Sequence, residues 1–417
     1  MKRKYDESSS FSSSYFFSSA VNYNTELSFF FAENLFLKKN MVFSPFSLEM
    51  IFGIISAGTS GDTQLELLRF LGLRSMKDLV DLVKIRSDLL KHFSPDHSAL
   101  HLDGPVFSFT NGLWVPKSLP LKSSFKDTLT TMFNAAVSDL HTYNRGVEVI
   151  EEVNSWVTRK TNGIIKGILQ PMSITNETQL LFINTVCFKG EWENPFPTCL
   201  TALHDFTLSD GSSVRNIPFM VSDETQYIKS FDLFGFKTLS LAYKKGNGDD
   251  KHYQFYLDIF LPNPGFDLPT MLQSMAANNF DLIMSRLVQD KVRVGEFRIP
   301  KFKILSRLDD TLDVLKERGV SKAFEKGALK DILQHDAAGN KLLVSNIFHK
   351  SFIEVNERET VAASVSTSVE VKCYTPSVDF VADHPFVFLV RELNSKTILF
   401  MGQVLNPTEG YDDEQVS

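Results

Sequence analysis

The chain has 417 residues, of which 43% are hydrophobic and 22% charged, enough apolar material for a large core. A net charge of −7 gives no basic footprint for nucleic acid, and no apolar run reaches the roughly 18 residues that a membrane span needs. The three cysteines, Cys187, Cys199 and Cys373, include no CxxC pair; an odd set is a poor disulfide framework and fits a reducing compartment.

In chain order, residues 1–20 read as a disordered Ser-rich extension. They lack the continuous apolar stretch of a secretory signal, so an intracellular, cytoplasmic protein is expected. The short basic run Lys2-Arg3-Lys4 leaves a nuclear address open, and an extracellular location also stays open. Without a signal, the sequon at Asn176 is expected to go unused. Thr25 to Lys39 reads as an amphipathic helix. Ser44-Pro45 suits a helix start, and the helix that follows is apolar on nearly every side, so it should be buried. Gly58 to Gly61 breaks it, and Asp62 to Leu73 is helical again. Val106 to Val115 reads as a strand with a turn, and Ser124 to Phe133 as a helix. Gly146 to Asn162 is a helix built on Val147, Ile150, Val153 and Trp156, continuing towards Leu169.

Gln179 to Phe188 is mostly apolar, consistent with a strand buried on both faces. Asp205 to Phe219 carries a turn at Asp210-Gly211 between two strands. Lys237 to Tyr243 and Gln254 to Leu261 are strands, and a helix follows Pro269 to about Leu282. Lys291 to Ile304 alternates as one strand, and a helix with a short segment follows from Arg307 to Phe324. Helices and strands interleave without a period, and the later strands favour antiparallel pairing. That is an α+β pattern with no internal repeat, read as one domain over 21–407 and an acidic tail over 408–417.

No GxSxG, HExxH, P-loop, GxGxxG or spaced Cys/His set is present, so no catalytic, metal or cofactor site is picked out. The stretch that stands out is Asn356 to Phe386, NERETVAASVSTSVEVKCYTPSVDFVADHPF. Thr360 to Val371 can form a strand, but half of it is small and polar. Val361, Ala363, Val365, Thr367, Val369 and Val371 would share one face, and Thr360, Ala362, Ser364, Ser366 and Ser368 the other. A surface strand and an exposed loop able to become a strand both fit.

SPFS, AGTSGDT, NSWVTRKTNGIIKGIL, KGEW, SFIEVNE and VDFVADHPF occur in an order that resembles the serpin family, with VDFVADHPF similar to its plant branch. The resemblance runs from about Thr25 to Pro407. It implies the serpin fold, with mixed sheets, a helical N-terminal part and an exposed reactive-centre loop over 357–377. It implies a monomeric, non-enzymatic protein whose partner is a serine or cysteine endopeptidase. It implies a polar shutter of Ser44, Ser47, Asn184 and His349, and a hinge of Glu357, Arg358, Glu359, Thr360, Val361, Ala362, Ala363, Ser364 and Val365. The hinge departs from the family at Arg358, at Glu359 where Gly is usual and at Val361 where Glu is usual. Counts from the two ends of the loop disagree on the scissile bond; Lys372, Cys373 and Tyr374 are the reactive-bond candidates.

On the family's rule, Thr360 and every second residue after it turn inward when the loop enters the sheet, and the valines stay in solvent. Inward serines without partners would cost about 1–3 kcal/mol each, against about 0.5–1.5 kcal/mol returned per ladder hydrogen bond. The expectation is therefore a serpin with weak or lost inhibition. The alternative is a competent suicide-substrate inhibitor cleaved near Lys372 or Cys373.

Overall fold

The computed structural model describes residues 23–36, 39–93, 105–140, 146–171, 173–174, 178, 180–246, 252–278, 280–308, 311–317, 319–334, 344, 346–357 and 377–409. The chain opens with helix α1 (23–35), strand β1 (Met41–Phe43) and helices α2 (Pro45–Ala57), α3 (Gly61–Phe70) and α4 (Met76–Phe93). Next come β2 (Val106–Pro116), α5 (Ser123–Thr131), β3 (Ala135–Leu140), α6 (Gly146–Lys160) and β4 (Leu181–Lys189). Strands then dominate: β5 (Ala202–Thr207), β6 (Ser213–Met220), β7 (Tyr227–Phe231), β8 (Phe236–Ala242) and β9 (Phe255–Pro262). After α7 (Leu268–Ala277) and α8 (Phe280–Met284) come β10 (Val294–Pro300), β11 (Phe302–Leu308) and α9 (Thr311–Glu317). The chain closes with β12 (Asn346–Val355), β13 (Val378–Val381), β14 (Phe386–Glu392) and β15 (Ile398–Val404).

These strands form a five-stranded sheet, β11-β12-β4-β2-β3, a six-stranded sheet, β1-β15-β14-β9-β8-β7, and a four-stranded sheet, β13-β10-β6-β5. Most neighbours are antiparallel, but β2–β3, β4–β12 and β10–β13 are parallel. One apolar cluster joins residues from Leu27 to Val404. A second, smaller one fills the space between the five-stranded sheet and α6.

Helix α2 sits in the main cluster with twelve of its thirteen residues buried. Ser44 caps it by accepting from the Ser47 N–H, and Pro45 fixes its first turn. Its one charge, Glu49, pairs with buried Arg86 of α4 at 3.0 Å. The stripe that α6 buries is Val149, Val153 and Val157, with the expected Ile150 and Trp156 packed against the same cluster; of the expected face only Val147 is exposed. The helix also ends earlier than expected, at Lys160. Asn154 explains why: its Oδ1 accepts from Ile168 and Leu169 N–H at 2.9 and 3.0 Å, so the chain folds back along α6 and buries Ile165 and Ile168.

Two further expectations change. Lys291 to Ile304 is two strands in different sheets, separated by Lys301, whose N–H bonds Pro218 O at 2.9 Å. Pro300 has no N–H with which to continue a ladder. Val106 to Val115 contains no turn: β2 runs straight through Asn111-Gly112. Gly112 is needed there because the rings of Trp114 and Trp156 occupy the space a side chain would take. A Cβ on Gly112 would lie 2.4 Å from Trp114 and 2.8 Å from Trp156, and the two rings meet edge to face at 4.9 Å. We expect Gly112→Ala to destabilise the protein by about 1–3 kcal/mol through overpacking, read from the midpoint of urea unfolding.

Candidate functional site

The middle of the five-stranded sheet is the seam where β12 lies parallel to β4. Its register runs from Asn346 opposite Leu181 to Ile353 opposite Phe188, with His349 opposite Asn184. Alternation divides the side chains between two faces. Ile347, Ile353, Phe182, Val186 and Phe188 join the main core. Phe348, Phe352, Leu181, Ile183 and Cys187 join the smaller cluster under α6. Burial pushes the Cys187 thiol up to about 12.

At the centre of the inward face is a dry polar cluster. Asn184 Nδ2 donates to Asn111 Oδ1 at 2.8 Å, which leaves Asn184 Oδ1 as the acceptor. That oxygen takes the Ser47 hydroxyl and faces His349 Nδ1, both at 2.6 Å. His349 Nδ1 therefore carries the ring proton. Nε2 is then free to accept from the Ser351 hydroxyl at 2.7 Å and from the Ser44 N–H at 3.3 Å. The Ser44 hydroxyl accepts from the Ser47 N–H. Burial drives the His349 pKa down to about 3, so the ring is neutral. The start of α2, the paired strands and β2 thus share one hydrogen-bonded knot.

The sequence-predicted shutter residues Ser44, Ser47, Asn184 and His349 are brought together here. Asn111 and Ser351 complete the cluster and were missed. Ser351 is two residues beyond His349 on the same strand face, and Asn111 stands opposite Asn184 in the β2–β4 register. The first signal was readable from alternation alone; the second required the pairing.

β12 ends at Val355, and two residues later the chain is fastened. Trp192 Nε1 donates to Asn356 O at 2.8 Å, and the Trp192 ring stacks on Tyr243 at 4.5 Å. Glu357, 6% exposed, accepts from Thr201 Oγ1 at 2.7 Å and pairs with Lys301 Nζ at 2.8 Å. Burial raises the Glu357 carboxyl, but the hydrogen bonds from Lys301 and Thr201 and the Lys301 charge outweigh it. The group is held below the ordinary carboxylate range. The other hinge residues expected from sequence, Arg358 to Val365, and the reactive-bond candidates Lys372, Cys373 and Tyr374 lie outside the described residues. The chain is described again from Ser377. There β13 pairs with β10 at the edge of the four-stranded sheet, and Asp379 Oδ1 accepts from the Glu296 N–H at 2.7 Å.

Among the described residues no group of three or more His, Cys, Asp or Glu could hold a metal ion, and no helix is long and apolar enough to cross a membrane. His384 places one ring nitrogen against Asp383 at 2.9 Å and the other against Pro262 O at 3.0 Å. Both nitrogens face acceptors, which suits a structural brace rather than a base.

The family model described as serpin (serine protease inhibitor) matches residues 22–407. The chain belongs to the serpin family. It is 38% identical over 377 residues to Serpin-Z4 of Arabidopsis thaliana, covering 88% of this chain and 92% of that one. Serpin-Z2A of Triticum aestivum is 37% identical over 371 residues, covering 88% and 90%. Among solved structures, Arabidopsis AtSerpin1 in its native stressed conformation is 36% identical with a TM-score of 0.83, covering 94% of this chain and 98% of that one. Uncleaved ovalbumin, at 20% identity, has a TM-score of 0.77 and covers 93% and 99%; that likeness concerns the fold alone.

Two outcomes follow for this serpin. His349 has a folded pKa of about 3 against 6.5 for the free side chain. Between those values the unfolded chain binds the extra proton, so this group's contribution is full above about pH 6.5 and falls as pH drops. From pH 7 to about pH 5 His349 should remove about 2 kcal/mol of stability. Urea titrations at several pH values should show that slope in the parent and a shallower one in His349→Gln, whatever the variant's own midpoint.

The second concerns the fastening of Glu357. Lys301 is partly exposed, so its ion pair is worth about 1 kcal/mol after solvent screening. Lys301→Met should speed nicking of the 358–376 segment by trypsin about fivefold, read by mass spectrometry of the fragments. An unchanged rate would show that Thr201 and Trp192 hold the segment's start without Lys301.

Proposed function

We propose that this serpin offers residues 358–376 as bait to a serine or cysteine endopeptidase and that its trapping step is slow. Cleavage would then be completed more often than the protease is captured. The observation that carries the bait assignment is the seam: β12 leads through Asn356 and Glu357 straight into the bait, and its neighbour β4 runs parallel to it. A strand returning from Glu357 between the two would run antiparallel to both. One parallel pairing would be exchanged for two antiparallel ones, whose hydrogen-bond geometry is somewhat better. The protease supplies the catalysis; the chain supplies bait and seam.

The residues of the seam change the estimate of what insertion costs. With a hairpin of residues 356–359, Thr360 would come beside Val355, Ala362 beside Ile353, Ser364 beside Ser351 and Ser366 beside His349. The inward serines would thus arrive at the polar cluster around His349, beside side chains able to hydrogen-bond. Part of the outward row would not be left in solvent, as the family's rule implied. Ala363 would lie beside Phe352 and Thr367 beside Phe348, on the face that joins the apolar cluster under α6. What still opposes insertion is Glu359 at the hairpin, where Gly would give backbone freedom, and Glu370, the first charge on the inward row, beyond the level of Ile347.

The polar layer also favours a second reading, a competent suicide-substrate inhibitor cleaved near Lys372 or Cys373. A panel of trypsin-like and cysteine endopeptidases run on SDS gels separates the two. We expect the parent to be mostly nicked within 358–376. Glu359→Gly should remove about 1 kcal/mol from the insertion barrier and raise the trapped fraction about fivefold. Ser364→Ala alone should change it little. A parent that already forms mostly SDS-stable covalent complex would establish the second reading, and no cutting within 358–376 would overturn the bait assignment itself.

A further inference from the structure

Well away from the seam, α4, residues His252 and Tyr253 and the turn between β14 and β15 enclose a cavity of about 310 Å3. Ile85, Leu89 and Tyr253 give it apolar walls, and Arg86 is its buried cation. The guanidinium is only partly used. Nε donates to Glu49 Oε2 at 3.0 Å and Nη1 donates to Thr397 Oγ1. Nη2 is fully buried and meets no acceptor among the described residues. A buried donor in that state is costly unless something accepts from it.

Charge selects the class of ligand. Two carboxylates stand with this one guanidinium: Glu49, which it pairs with, and Glu392, which also lines the cavity. Glu392 is fully buried and already accepts from the N–H groups of Gln254, Asn394 and Ser395. An anion would add to a negative excess, and a cation would approach Arg86 against its charge. A neutral molecule with one acceptor oxygen avoids both costs. The volume lies at the small end of the range for organic ligands, and apolar walls with a few placed polar groups are the usual form of such sites.

We infer that this cavity binds a small, neutral, mainly apolar molecule through one carbonyl or hydroxyl oxygen that accepts from Arg86 Nη2.

The test uses acetonaphthone, a neutral naphthyl ketone, and methylnaphthalene, the same body without the oxygen. Affinities are read by isothermal titration on the full chain, with melting temperature as a second readout. The ketone should bind about tenfold or more tighter than the hydrocarbon, the usual worth of a hydrogen bond from a charged donor. Glu49→Leu combined with Arg86→Met removes the ion pair without stranding a charge; it should abolish the preference and leave hydrocarbon binding in place. Leu89→Trp should fill the cavity and weaken both ligands. Equal affinity of the parent for the two compounds, or no binding of either up to their solubility, would overturn the inference. So would ketone binding that neither the double variant nor Leu89→Trp changes.

Discussion

A neutral histidine in a dry core is the constraint on which the five-stranded sheet depends. His349 has to find one acceptor and at least one donor without water, and it finds them on three separate pieces of chain: Asn184 of β4, Ser351 of its own strand and the backbone at the start of α2. A network of this kind is tolerable when its members are paired; of its six residues only Asn111 keeps a group, Nδ2, without a partner among the described residues, so the positions of β4, β12 and α2 are fixed relative to one another. The rest of the apolar packing can then be tight, because α2 is buried on almost every side. The same network can also be rearranged: hydroxyls rotate, and an incoming strand with small polar side chains could take over some of the bonds.

The seam is lined on both sides. Its inward face belongs to the main core and its outward face to the cluster that α6 closes. An added strand in this sheet would therefore be judged by two environments of different character, one partly polar and one apolar. A segment that alternates serine with valine is better suited to that place than its composition suggests. On the proposed insertion, the charges of Glu359 and Glu370 would fit it less well, one at the hairpin and the other deep along the inward row.

Much of the fold was legible because burial leaves a plain signature in the sequence. The apolar run of β4 read as a strand buried on both faces, that of β9 read as a strand, and Ser44-Pro45 marked the start of α2. The α+β class followed from their order. α4 was not found, although Leu79, Leu82, Val83, Arg86 and Leu90 repeat at helical spacing; charges between them diluted the pattern. β3 is short and has no distinct period. The break at Lys301 and the fold-back after α6 were invisible because their causes, the Pro218 carbonyl and the Asn154 side chain, act across the structure. The site divides in the same way. The family motifs named four of the six cluster residues and Glu357. The partners of Glu357, Thr201 and Lys301, are remote in sequence and carry no local mark of that role.

Lys301 is the one residue between β10 and β11, which lie in different sheets. Its side chain grips Glu357 while its backbone N–H bonds the Pro218 carbonyl of β6. Tension along the chain beyond Glu357 would thus reach β12 through the backbone and this joint through the Lys301 side chain. The four-stranded and five-stranded sheets would feel such a pull together, so the segment that begins at Glu357 is mechanically referenced to both sheets at once.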